Sequence, residues 1–262
     1  MDFIKFYSEE KWKGLTNITN MHNLISTYSC AILAGAKFLP RWLLETNIKG
    51  ERFNLFGQEY AFEELEIPEG VTVNKQYALL GLSHIADLFD SGIVERRMNH
   101  ANVFGIEWVM NFRQKHEMIV KDIYEGKDLE SILLETAWNA HYLQDALSPM
   151  HTHPYFQERH IEFENYVSEN FNKLFKVEDL LYYVNRNLVL VNDIDSLIAW
   201  VRSFRQRVGY NGLRAVMDYL NQKYNFGYKV LEHSFRHGVI FNFALSTIAT
   251  INYYLIVLDY IR

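Results

Sequence analysis

His141 and Asp145 stand four residues apart, and so do His160 and Glu164. That offset puts both members of each pair on one face of a helix. His151 lies between the pairs, two residues after Pro149, where a helix has to be left. A single helical His-x-x-x-Asp pair is commonly just a surface ion pair. Five such groups between positions 141 and 164 are too dense for a helical core unless they converge on metal. Zinc accepts imidazole nitrogen and carboxylate oxygen, and a catalytic zinc keeps a position open for water. His151, His160 and Glu164 make a two-histidine, one-carboxylate set. His141 and Asp145 could hold a second ion, with Asp145 placed to bridge to a third. Closely spaced ions suit phosphoric esters, since one activates water while its neighbours neutralise charge on the phosphate. The spacing leaves the number of ions open.

The rest of the chain reads as helices around this stretch. Thr19 or Asn20 caps a helix from Met21 to about Phe38. Residues 46–75, punctuated by Gly50, Gly57, Pro68 and Gly70, read as an irregular excursion with short helical turns. A helix near Asn74–Gly81 leads into a loop or broken helix through Ser83, His84 and Asp87. A long helix follows from about Asn99 to Glu125, stopped at Gly126, with His100 and His116 on its surface. Asp128 caps the helix that carries Leu129 through about Leu147. Further helices are expected over Phe156–Phe175, Asp179–Tyr183, Asp193–Val208, Gly212–Asn221 and Gly227–Ile261. Strand alternation is lacking, so the fold class is all-α, one helical domain over residues 1–262 with an N-terminal segment at 1–20. Gly238–Ile261 is apolar enough to cross a bilayer, but Asn242, Asn252 and Asp259 favour a helix buried in a bundle.

Composition narrows the function classes. An apolar fraction of 49% with 18 Phe and 17 Tyr belongs to a folded chain with a large core. A net charge of -6 leaves no basic footprint for duplex nucleic acid, although bound metal would add local positive charge. Cys30 is the one cysteine, which excludes an intrachain disulfide and a thiolate cluster, and its neighbours point to a buried core position. The first residues lack a basic stretch followed by an apolar one, so the expectation is a cytoplasmic protein, with a secreted or processed form as the alternative.

Taken together, His141-Tyr-Leu-x-Asp145, Ser148-Pro-Met-His151 and His160-x-x-x-Glu164-Asn-Tyr-Val resemble the ligand core of the bacterial zinc-dependent phospholipase C family, the alpha-toxin-like enzymes. That family is all-α and distantly similar to zinc nucleases that cleave single strands. The resemblance covers the core closely, extends more loosely over residues 12–170, and does not reach the C-terminal third. It implies one zinc on His151, His160 and Glu164, a second on His141 and Asp145 with His84, and a third on Asp145 and His22. Secreted members begin with a tryptophan whose amino group and carbonyl bind the third zinc. Trp12 stands ten residues before His22, as in the family, but eleven residues precede it. The family also carries a metal-binding aspartate, the presumed general base of its reaction, ahead of the loop histidine. This chain has no aspartate between Asp2 and Asp87, so Glu69 and Asp87 are the candidates for that role. His153 and Tyr155 flank the ligand turn and either line the substrate cleft or sit on a solvated turn.

These residues add up to a metal-dependent hydrolase of phosphoric esters, using two or three zinc ions on a phosphoester or lipid-like small molecule. The competing readings are a relative recruited to a different small-molecule reaction, and a non-catalytic, metal-stabilised binding protein.

Overall fold

The computed structural model describes residues 21–35, 52–55, 58–61, 79–81, 83, 107–151, 163–164, 166–167, 177–205, 207–208 and 232–261. Its elements are α1 (Met21–Gly35), a hairpin of β1 (Arg52–Leu55) and β2 (Gln58–Ala61), α2 (Glu107–Tyr124), α3 (Leu129–Ala146) and a 3-10 turn (Pro149–His151). They continue with α4 (Val177–Asn187), α5 over 194–205 and α6 (Glu232–Tyr260). The fold is helical, as expected. The helices predicted over 156–175 and 212–221 fall wholly or largely outside the described residues, and so do 36–38 and 99–106 of the two earlier ones.

Local chemistry explains the joint ahead of the ligand helix. At the end of α2 the Lys127 N–H donates to the Asp122 carbonyl at 3.0 Å and the Gly126 N–H to Ile123 at 3.1 Å. This pairing closes a helix through a left-handed residue, and Gly126 supplies it with φ at +70°. Two residues later Asp128 caps α3, its carboxylate accepting from the Ser131 N–H at 2.9 Å. Asp193 repeats the device ahead of α5, accepting from the N–H and the hydroxyl of Ser196.

α3 is the centre of the molecule. From Ile132 to Ala146 only Glu135 escapes full burial, because α1, α2 and α6 all pack against it. Trp108, Phe112, Trp138, Tyr142 and Tyr253 fill one part of the core, while Met21, Ile25, Met150, Phe163 and Phe243 fill another. Ile32, Leu188 and Trp200 pack against both parts and join them. Buried charge is compensated: the Lys115 Nζ donates to Glu135 at 2.8 Å and lies 3.9 Å over the Trp138 ring.

α6 belongs to this core. Its Gly238–Tyr260 stretch is long and apolar enough to cross a membrane, yet 89% of its most apolar window is buried inside the protein. Its polar residues have work there. Asn252 donates to the carbonyls of Val189 and Ile248 and accepts from the Val191 N–H, which pins the stretch after α4 to the helix.

Three expectations need correction. The excursion at 46–75 contains the β1–β2 hairpin, with Phe53 paired to Tyr60 and Leu55 to Gln58. Only Phe56 and Gly57 separate its strands, the short connection with glycine that hairpins favour. Val177–Asn187 is longer at both ends than the helix predicted over 179–183. His116 is 6% exposed, not a surface residue, because α6 lays the rings of Tyr253 and Tyr260 over it, each 5.9 Å away. His100 lies outside the described residues. Cys30 is fully buried, as its neighbours imply.

Candidate metal centre

The last two turns of α3 bring His141, Gln144 and Asp145 to one face. The helix ends at once: the Leu147 N–H turns back to Leu143, the Ser148 N–H to Asp145, and Pro149 opens the 3-10 turn. The turn swings His151 back beside Asp145, with its N–H on the Ser148 carbonyl. Arg205 from α5 holds it from outside, Nη2 donating to the His151 carbonyl at 3.2 Å. α1 contributes His22 from its first turn, and Glu164 comes from a helical piece whose neighbour Phe163 is sunk in the core.

These five side chains are at most 4% exposed. Asp145 is their hub. Its Oδ2 lies 3.3 Å from His141 Nε2, and its Oδ1 lies 3.5 Å from both His22 Nε2 and His151 Nε2. Glu164 closes the ring, Oε2 3.4 Å from His22 Nε2 and Oε1 3.9 Å from His151 Nε2. The His22 and His141 rings are 3.9 Å apart, centre to centre. The atoms form two sets, His22–His141–Asp145 and Asp145–His151–Glu164, each close enough to share one cation.

The donor set fits zinc. Ligand atoms held at zinc's usual ~2.0–2.1 Å in a tetrahedron stand roughly 3.3–3.4 Å from one another, close to most of the spacings found. Among the described residues neither oxygen of Asp145 has a well-formed hydrogen bond, although the residue is 1% exposed. An ionised carboxylate stripped of water and hydrogen bonds is costly unless a cation compensates it. Burial opposes the charge on Asp145, yet His141, His151 and His22 outweigh it and hold the carboxyl well below its usual range. Glu164 follows the same pattern: burial raises its pKa, but His22 and then His151 bring it down on balance. Both groups are therefore anions at neutral pH, ready to ligate.

Of the predicted ligands, the structure brings together His22, His141, Asp145, His151 and Glu164. It groups them differently from the resemblance, since Asp145 stands with His151 and Glu164 as well as with His22 and His141. His84, His160, Glu69, Asp87, His153 and Tyr155 lie outside the described residues, although Ser83, the neighbour of His84, is present and buried.

Sequence reasoning missed Gln144. It is fully buried and takes part in a polar cluster behind the centre: Oε1 lies 2.9 Å from His22 Nδ1, and Nε2 donates to Ser26 and Thr250. Its position three residues after His141 was the available signal, because it shares the ligand face. Met21, Ile25, Phe163, Asn242 and Phe243 line a small, mainly apolar cavity.

The arrangement defines a class: an all-helical protein with two adjoining His/Asp/Glu sets suited to metal, as in metal-dependent enzymes generally. Compared with protein-family models, curated proteins and solved structures, the chain matches none.

Proposed function

We propose that the protein is a zinc-dependent hydrolase of phosphoric esters, with a phosphodiester of the phospholipid type as its substrate class. The observation that carries this reading is Asp145, a buried carboxylate with no well-formed hydrogen bond among the described residues, which belongs to both ligand sets. A carboxylate shared by two neighbouring cation positions suits in-line displacement at phosphorus, where paired ions can stabilise the attacking and leaving oxygens. Bound there, the ions would polarise the ester and lower the pKa of water. His22 and His141 with one oxygen pair, and His151 with Glu164 on the other side, would hold them in place. The depressed carboxyl groups keep the ligands ionised through the neutral range. The resemblance to zinc-dependent phospholipases C supplies the phosphodiester, and it suggests Glu69 or Asp87 as the group that takes the proton from water, with His153 and Tyr155 beside the substrate.

Metal analysis and a substrate panel test the proposal together. The expected result is two or three zinc ions per chain, with turnover of phosphatidylcholine or a chromogenic phosphodiester. Asp145→Asn should drop the content below one ion and abolish turnover. Fewer than one ion in the native protein sinks the metal reading. A full complement with no turnover on either substrate or on single-stranded DNA rejects the phosphoesterase.

A further inference from the structure

We propose that Gln144 is a positioning residue that dictates which nitrogen of His22 is offered to metal. The inference deepens the metal reading above and rests on it. It follows from counting protons in the cluster behind the centre. Ser83 Oγ lies 2.8 Å from the carbonyl of His22, which only accepts, and 3.2 Å from Gln144 Oε1, so its proton goes to the nearer carbonyl or to that amide oxygen and in either case is not available to Ser26. Ser26 Oγ is 2.8 Å from Ser83 Oγ and must therefore supply the proton between them. Having spent its only proton, Ser26 faces Gln144 as an acceptor. The atom of Gln144 at 2.8 Å from Ser26 is consequently the amide nitrogen, which also donates to Thr250 at 3.2 Å.

That orientation leaves the amide oxygen 2.9 Å from His22 Nδ1. An amide oxygen accepts, so Nδ1 carries a proton, and in the neutral ring that a metal binds Nε2 is left with the lone pair. Nε2 is the atom that stands 3.5 Å from Asp145 and 3.4 Å from Glu164. A lone pair aimed at two carboxylate oxygens needs a cation among them. The carbonyl of His22 thus fixes, through two serines and one amide, the face that its own ring shows to the metal. All members of the relay are buried, so water does not compete for these bonds. Hydrogen bonds of this kind behind a metal ligand typically govern about 10- to 100-fold in metal affinity.

Nitrogen-15 NMR of the metal-free native protein, read at a pH where the His22 ring shows one protonated and one unprotonated nitrogen, tests the tautomer without any substitution. The His22 proton is expected on Nδ1; a proton on Nε2 overturns the proposal whatever the protein catalyses. Competition titration with zinc then compares two variants. Gln144→Met, which removes the acceptor at similar volume, should weaken zinc binding by about 10- to 100-fold, while Gln144→Glu, which keeps an oxygen toward Nδ1, should stay within about tenfold of the native protein. Native affinity in Gln144→Met, or equal losses in both variants, reduces Gln144 to packing and refutes the role. If the native protein binds no zinc, the metal reading fails, whereas the NMR result still reports on the relay by itself.

Discussion

His116 and Asp145 show how one environment, the space between helices, serves two kinds of ionisable residue. Asp145 is buried among imidazoles and stays charged. His116 is buried among the rings of Tyr253 and Tyr260, and burial lowers its pKa to about 4. The unfolded chain takes up a proton near pH 6.5 that the folded chain refuses until about pH 4. Stability contributed by neutral His116 is therefore intact above 6.5 and falls as the pH drops through that window, because the unfolded state binds more protons. His116→Phe should flatten this part of the profile. Urea midpoints at about pH 7.5 and pH 5 in both proteins measure it: the native midpoint drops more between the two values than that of the variant. Equal drops mean that other groups carry the acid sensitivity.

At the scale of elements, the ligand helix depends on its far end. Asp128 caps α3 more than three turns before His141, so its contribution is to the helix and not to the centre. Asp128→Ala should cost about 1 kcal/mol, within a range of roughly 0.5–2, and lower Tm by roughly 2–4 °C. Zinc affinity should be unchanged, as calorimetry with and without metal will show. Such caps are visible in sequence because they are local: Gly126 and Asp128 mark their boundaries by residue type alone. The hairpin at 52–61 was hidden, since four-residue strands carry too few positions for an alternation to register. His116 was misjudged for a different reason. Helix periodicity tells which residues share a face, but not that a helix from the far end of the chain will cover it. The centre divides along the same line. The His141–Glu164 ligands are close in sequence and could be read from spacing, whereas Gln144 acquires its role only from Ser26, Ser83 and Thr250, which arrive from three distant segments.

For the whole molecule, metal is expected to act as a joint. The ligands are drawn from α1, α3, the 3-10 turn and the Glu164 segment, so one pair of ions ties four pieces of chain together. Zinc at about 100 times its Kd should add roughly 2.7 kcal/mol to folding, and a chelator should remove it. Acid should do the same, and its midpoint identifies the groups responsible. Asp145 and Glu164 have pKa values lowered from 3.8 and 4.5, so they remain anionic through mild acid, and their contribution is lost only as pH falls below those ordinary values. Imidazole is the more basic ligand type, so acid should release zinc before the carboxylates titrate, as zinc content followed against pH will show. Zinc retained to about pH 4 would contradict the histidine ligands.

The relay behind His22 also joins distant parts of the chain. His22 is near the beginning of the chain, Gln144 lies 122 residues later, and Thr250 a further 106. The orientation of one imidazole thus draws on bonds between segments more than a hundred residues apart, which makes the centre a product of the assembled fold and not of any local stretch.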